Sequence, residues 1–309
     1  MSSPRLSILL PVWNGAADLA RLLPGLEAQR LWPECELLAI DSSSSDGSVE
    51  LLEAAGARVE VIPQARFGHG RTRNELVGLA RGERLVFLSQ DALPADDRFL
   101  DELVAPLEEE RVAGAYARLL PHEDDDPLTA RTVLAAPEAR EEAPQPGELD
   151  LDALWTGGGD QRIERLRFSN VASAARTEVL REHPFPDIPF GEDFAWAARV
   201  ADAGWEVRFA PRAVALHAHR YSPSQAFERY RLDAAFHRAV HGHQLRPSLL
   251  SVLRGITWEL REDLRYLART PGASWGHALR APALRGAQVL GQYWGSRGWG
   301  EDFWDMGPK

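Results

Sequence analysis

The chain has a single cysteine, Cys35, among its 309 residues. A lone thiol excludes an internal disulfide and any multi-cysteine metal cage, and it fits a reducing compartment. No apolar run reaches the roughly 20 residues needed to span a bilayer. The opening segment, MSSPRLSILLPVWNG, is too short and too lightly charged for a signal peptide. The expected location is therefore the cytoplasm, with peripheral membrane contact left open. Positive charge is in deficit: 35 Lys and Arg face 46 Asp and Glu, a net charge of -11, which argues against non-specific nucleic-acid binding by the chain as a whole. No Gly-x-Gly-x-x-Gly follows the first apolar run, so a dinucleotide-dependent enzyme is disfavoured.

What is present is ordinary globular composition, 44% apolar and 26% charged, in a chain long enough for one large domain or two small ones. Residues 6–12 (LSILLPV) form a short apolar run ending in a Pro-Val-Trp-Asn-Gly turn, suited to a strand buried on both faces. Leu19, Leu22, Leu23 and Leu26 then recur at helical spacing. Residues 36–40, 58–62 and 84–88 read as further strands, with helices between them near 46–55 and 70–81. Strand and helix alternate three times, which predicts a doubly wound, mostly parallel sheet. Such sheets bind ligands beyond the carboxyl ends of their strands, and Asn14, Asp41 and Asp91 each lie just after one. Residues 121–166 are acidic and Pro-rich and read as a mobile insertion or acceptor-side loop whose carboxylates are solvated. Residues 192–203 make an amphipathic helix stopped by Gly204, and strands follow near 206–209 and 213–217. From Ser222 onward the pattern is helical. Within 245–300, eight Arg stand against three acidic residues, either a helical cap on the fold or a basic, Trp-bearing surface for anionic lipid carrying Trp258, Trp275, Trp294 and Trp299.

Several segments carry chemistry-bearing residues in a telling order: PVWNG at 11–15, AIDSSSSDGS at 39–48, FGHGRTRN at 67–74, FLSQDALP at 87–94, FSNVASA, PFPDIPFGED, and LHAHRYS at 216–222. Together they resemble family-2 glycosyltransferases, most nearly the rhamnosyltransferase-like branch, over about residues 5–222. The resemblance implies a GT-A fold: a Rossmann-like sheet flanked by helices, with a nucleotide half near 1–92 and an acceptor half near 93–221, followed here by a helical extension over 222–309.

It also implies roles. Nucleotide contacts fall on Pro11, Trp13, Asn14, Asp41, Arg71, Asn74 and Gln90. Trp13 takes the position where an aromatic ring stacks on the donor's pyrimidine, a contact worth roughly 1–3 kcal/mol; without the resemblance it is equally a Trp covering the sheet edge. A carboxylate at Asp41 can accept the imino N–H of uracil or thymine. Gly68 and Gly70 permit close approach to a ligand, Arg71 suits phosphate oxygens, and Arg73 is the better fit to a plain exposed helix residue. Ser89-Gln90-Asp91 stands where most of the family has Asp-x-Asp, leaving one carboxylate for a divalent cation, Mn²⁺ or Mg²⁺, that would bridge the donor phosphates. His217 and His219 share one face of a strand end and are the further metal ligands, imidazole favouring Mn²⁺. Asp193 becomes the general base, with Glu192 beside it; read alone, the pair is a capping carboxylate pair at a helix start.

The resulting expectation is an inverting sugar transferase. It takes a dTDP- or UDP-sugar donor to a hydroxyl of a cell-surface polysaccharide or its lipid-linked precursor. Two other readings are open: a sugar nucleotidyltransferase, which would normally show a Gly-rich phosphate loop that PVWNGAADLARLL lacks, and a degenerate scaffold or carbohydrate-binding module, for which Ser89 is the main support.

Overall fold

The computed structural model describes residues 4–142, 156 and 158–298. The chain forms two compact units. The first is drawn from Met1–Leu120, Glu138–Leu151 and Leu166–His217, the second from Pro121–Pro137, Asp152–Arg165 and Ala218–Lys309.

The first unit is built on one eight-stranded sheet. Its opening half follows the sequence pattern: β1 (Leu6–Val12), α1 (Ala16–Glu27), β2 (Cys35–Asp41), α2 (Ser48–Ala54), β3 (Arg58–Val61), α3 (His69–Leu79) and β4 (Arg84–Leu88). β1, β2, β3 and β4 pair in parallel. β1 and β4 are buried almost throughout, as continuous apolar runs in a two-sided sheet should be. Leu19, Leu22, Leu23 and Leu26 of α1 all face the core.

The second half was less visible in the sequence. β5 (Leu93–Pro94) and α4 (Phe99–Val104) lead to β6 (Val112–Leu120), and after the second unit's helices α5 (Pro127–Leu134) and α6 (Gly159–Arg165) come β7 (Ala172–Arg176), α7 (Thr177–Glu182), α8 (Glu192–Asp202) and β8 (Glu206–Leu216). The strand order is β3-β2-β1-β4-β7-β6-β8-β5. β7 runs antiparallel to both β4 and β6, while β6 and β8 are parallel. The two strands expected near 206–209 and 213–217 are one strand with a register break. Ala117 pairs with Ala210 and Arg118 with Val214, so residues 211–213 bulge out. Pro211, which has no N–H to give the ladder, sits in that bulge.

In the second unit, α9 (Pro223–His241), α10 (Leu249–Leu267) and α11 (Trp275–Gly295) open at Ser222, Ser248 and Ser274, each in a capping box. Leu128, Ala226, Ala281 and Leu284 form a small core there. A buried ion network crosses it: Arg285 grips Asp263 with two nitrogens at 2.8 and 2.9 Å, and Arg131 pairs with Glu259 and Asp263. One expectation needs correction. The acidic run at 123–126 is not wholly solvated, because Asp126 caps α5 and pairs with Arg280; an unsatisfied helix N-terminus recruits the nearest carboxylate. Residues 143–155 of the expected loop, and Trp299, lie outside the described residues.

Candidate active site

The carboxyl ends of β1, β2, β4 and β8 share one edge of the sheet with the amino end of β7, since β7 alone among these runs backwards. Every expected site residue sits at that edge or on an element packed beside it.

At β2 the chain turns sharply. Asn14 and Ser43, both non-glycine, adopt left-handed backbone with φ of 45° and 63°, a conformation that clusters at functional sites. The two loops are laced together: Asn14 N–H donates to Ser44 Oγ, and the Ser45 N–H donates to Asn14 Oδ1. Asp41 is fully buried. One of its oxygens accepts the Ser44 N–H at 2.7 Å, and the other, Oδ2, has no hydrogen-bond partner among the described residues. A buried carboxylate oxygen without a donor is costly, and a ligand N–H is one way to satisfy it. Asp46 does capping work at two helix starts, accepting the N–H groups of Ala16 and Ser48. Trp13 is half exposed, free to present a ring face.

Gln90 is committed to that Trp. Its side chain accepts from Trp13 N–H at 3.0 Å and donates to Trp13 C=O at 3.3 Å. Gly15 makes room for it, since a Cβ there would lie 2.5 Å from the Gln90 side chain. Gln90 thus acts on the first loop by holding Trp13.

Asp91 reaches the last strand through β5. Leu93 pairs with Leu216 and Pro94 with Ala215 in antiparallel register. Continuing that register sets Asp91 beside the His217-Ala218-His219 segment. Asp91 Oδ2 and His217 Nε2 are 3.5 Å apart. Asp91 and His217 each offer a ligand atom here, and His219 lies two positions beyond His217 in sequence, where the second unit begins. Ligands on one divalent ion, each about 2.0–2.2 Å from it, lie roughly 3–4.4 Å apart, so the carboxylate–imidazole spacing fits. A mixed O,N donor set suits Mn²⁺.

α8 opens at Gly191, whose φ of 77° is easy only for glycine, and so turns Glu192 and Asp193 inward. Asp193 Oδ2 accepts the Asn170 N–H at 3.1 Å, and Oδ1 accepts the Phe194 N–H at 2.9 Å. Burial, and then the neighbouring Glu192 charge, push the Asp193 carboxyl up to about 6, outweighing the two backbone donors and Arg73. A carboxylate poised there is a competent base near neutrality. The next residue after Asn170 links this acid to the turn that carries Asp91, since Val171 C=O accepts the Ser89 N–H at 2.8 Å.

The segment FGHGRTRN, where the resemblance implies nucleotide contacts, also holds the backbone and side chains of residues 185–193. Asn74 holds the Phe185 backbone at both ends of its amide, at 2.8 and 3.0 Å. Arg71 pairs with Asp187 at 2.7 Å on the surface. Gly70 lies close to backbone: a Cβ there would fall 2.1 Å from Pro186 C=O. Arg73, expected as a plain exposed residue, is instead buried and donates to Glu192 Oε1 at 2.8 Å. α3 is therefore the rack that holds residues 185–193. Asn170 joins the same network, donating its side-chain N–H toward Glu192 and accepting from Ser173. Arg73 and Asn170 are the residues that sequence reasoning missed, although both lie inside quoted motifs.

A comparison with known families settles the class. The profile described as Glycosyl transferase family 2 matches residues 7–168. The chain belongs to that family. It is 30% identical over 240 residues to the O-antigen chain rhamnosyltransferase WbaN of Salmonella anatum, covering 76% of this chain and 72% of that one. To the O-antigen chain rhamnosyltransferase RfbN of Salmonella typhimurium it is 29% identical over 239 residues, 75% and 72% of the two chains. Among solved structures, the mannosyltransferase PcManGT of Pyrobaculum calidifontis, in complex with GDP-Man and Mn²⁺, superposes with a TM-score of 0.57 at 17% identity, covering 94% of this chain and 86% of that one. S. aureus TarS 1–349, in complex with UDP-GlcNAc, gives 0.54 at 16% identity, with 94% and 91% covered. The fold is thus the GT-A type, a mixed sheet with flanking helices and a helical C-terminal region, and this family-2 chain is a glycosyltransferase.

Proposed function

We propose that this transferase moves a sugar, with inversion, from a pyrimidine nucleotide-diphosphate donor to a hydroxyl of a cell-surface polysaccharide or its lipid-linked precursor. A dTDP-rhamnose donor is favoured by the likeness to the O-antigen chain rhamnosyltransferases, with UDP-sugars as the next candidates. The nucleotide half comprises about 1–92 and the acceptor half about 93–221, with 222–309 as the helical extension. The work is done at the cytoplasmic face of the cell membrane, where lipid-linked acceptors are reached.

The observation that carries this reading is the link between Asp193 and the Asp91 turn. Asn170 donates to the proposed base and Val171 accepts from Ser89, so base and leaving-group centre are held by neighbouring peptides. Asp41 would accept the imino N–H of the base through its unpartnered oxygen, under a stacked Trp13. Asp91, His217 and His219 would hold Mn²⁺ or Mg²⁺, which when bound neutralises the diphosphate and favours its departure. Asp193 takes the proton of the acceptor hydroxyl as that oxygen attacks the anomeric carbon from the face opposite the diphosphate. The C–O bond to the diphosphate breaks as the new one forms, which gives inversion. Asp193 then carries the proton until water removes it.

The test is a screen of dTDP-rhamnose and UDP-sugars with Mn²⁺, read as nucleotide-diphosphate release to water and as transfer to a lipid-linked glycan. Activity with one donor and product of inverted anomeric configuration is expected. Retained configuration, or no turnover of any nucleotide sugar, overturns the reading.

A further inference from the structure

We infer that the outer face of α10 and the start of α11 form a docking surface for an anionic lipid bilayer. The inference extends the reading of a lipid-linked acceptor, but its observations are confined to the helical unit.

Two of the three acidic residues of α10 are kept off its outer face. Glu259 and Asp263 point inward into the buried network with Arg131 and Arg285, and Glu262 is half-buried and paired with Arg265. The inner face is completed by Val252 and Gly255. The outer face has the opposite make-up. Leu249, Leu250, Leu253, Trp258 and Leu264 are more than half exposed, and Arg254, Arg261 and Arg265 are exposed beside them. At 3.6 residues per turn, the four leucines fall within an arc of about 100°, and the three arginines and Trp258 in the adjoining arc of about 60°. Arg254 and Arg261 make no ion pair among the described residues.

α11 continues the theme. Trp275 and Leu279, one turn apart, are 85% and 80% exposed, followed on the same stripe by exposed Pro282 and Ala283. Trp294, by contrast, is half-buried and takes no part.

A solvent-facing helix has no use for leucines in a row, and clustered exposed apolar residues mark an interaction surface. The occupant follows from the charge. Leucines that would enter an acyl boundary lie beside arginines that would meet lipid phosphates, with Trp258 on the arginines' far side, the pattern of a helix lying in a membrane interface. The chain is strongly acidic overall, so a basic face with two of its helix's three acids turned inward is selective placement, and it complements the anionic inner leaflet.

The test uses the whole protein and vesicles of phosphatidylglycerol with phosphatidylcholine, compared with phosphatidylcholine alone, by flotation at low and high salt. Binding to the anionic vesicles is expected, declining with salt because surface charge is screened within about 10 Å at 0.1 M. The triple variant Arg254→Gln, Arg261→Gln, Arg265→Gln should lose roughly fivefold in partitioning for each arginine. Leu253→Ser with Trp275→Ser and Leu279→Ser should abolish binding. These side chains are exposed, so melting temperature and donor turnover in solution should stay as in the parent; failure of the proposed activity would show in the parent's turnover and leave the vesicle result intact. No binding to anionic vesicles at low salt, equal binding to neutral ones, or a dimer in sedimentation that the leucine and tryptophan changes dissolve would each overturn the inference, the last by giving the face to a second copy of the chain.

Discussion

Arg73 Nη1 lies 2.8 Å from Glu192 Oε1, a buried ion pair between residues 119 apart in sequence. It joins α3 to the start of α8 and sets the charge beside Asp193. Glu192 raises the Asp193 carboxyl and Arg73 lowers it. The two partners should therefore have opposite effects on the pH profile. Glu192→Gln should shift the acid limb of kcat/KM below pH 6, and Arg73→Met should shift it upward. Arg73→Met also strands a buried carboxylate, which costs about 3–5 kcal/mol of stability, readable as a lower midpoint in urea. Arg73→Lys keeps a charge and tests the profile if the methionine variant does not fold. Parallel shifts in the same direction would refute the paired arrangement.

Asp41→Ala should weaken dTDP or UDP binding by roughly ten- to a hundredfold, the worth of a hydrogen bond to a charged group. The same change removes a buried, half-satisfied carboxylate, so the melting temperature of the ligand-free protein should not fall sharply. Calorimetry giving equal affinity for parent and variant would remove Asp41 from base recognition.

The parallel half of the sheet was legible because each strand is a bare apolar run and each helix carries one apolar stripe. β6 was not. Its Ala-rich run VAGAYARLL has weak strand character, and it is a strand because its neighbours make it one: a Cβ at Gly114 would sit 2.9 Å from Phe168 and 3.0 Å from Trp196, residues more than 50 positions away. The site divides the same way. Asp91 and His217 could be named from a strand end each, although their meeting depends on the two-residue β5, too short to announce itself. The roles of Asn74 and Arg73 could not be separated by sequence, because the roughly 100° between consecutive helix positions decides which faces the Phe185 backbone and which reaches Glu192.

Metal removal should distinguish the Asp91 turn from the base. EDTA should abolish transfer and Mn²⁺ restore it. Asp91→Ala should stay folded and fail to bind Mn²⁺ by calorimetry in the presence of nucleotide diphosphate, and His217→Ala should weaken binding by about 10–100-fold or more. Full activity in EDTA would leave arginines to hold the diphosphate.

Asp193→Asn joins activity, pH dependence and stability in one side chain. The acceptor hydroxyl must lose its proton as it attacks, and help from a positioned base contributes typically 10²–10⁴-fold. The amide keeps the shape of the acid and one of its two accepted hydrogen bonds, since only its oxygen can take an N–H from Asn170 or Phe194, and it cannot take the proton. Turnover should fall at least about a hundredfold, with donor affinity within a few-fold of the parent. The parent's kcat/KM should decline as pH drops through about 6, where Asp193 becomes protonated. Stability runs the other way. A carboxyl whose folded value is raised from 3.8 to about 6 binds its proton more tightly in the native state, so it costs nothing below pH 3.8, destabilises the fold increasingly as pH rises to about 6, and costs a constant amount above that. The lost hydrogen bond costs the variant the same at every pH, whereas the charge it removes burdens the parent only at the higher pH, so the variant's melting temperature relative to the parent's should be higher at pH 7.5 than near pH 4. A difference from the parent that is the same at both pH values would refute the raised carboxyl, and near-normal turnover would dismiss Asp193 as the base.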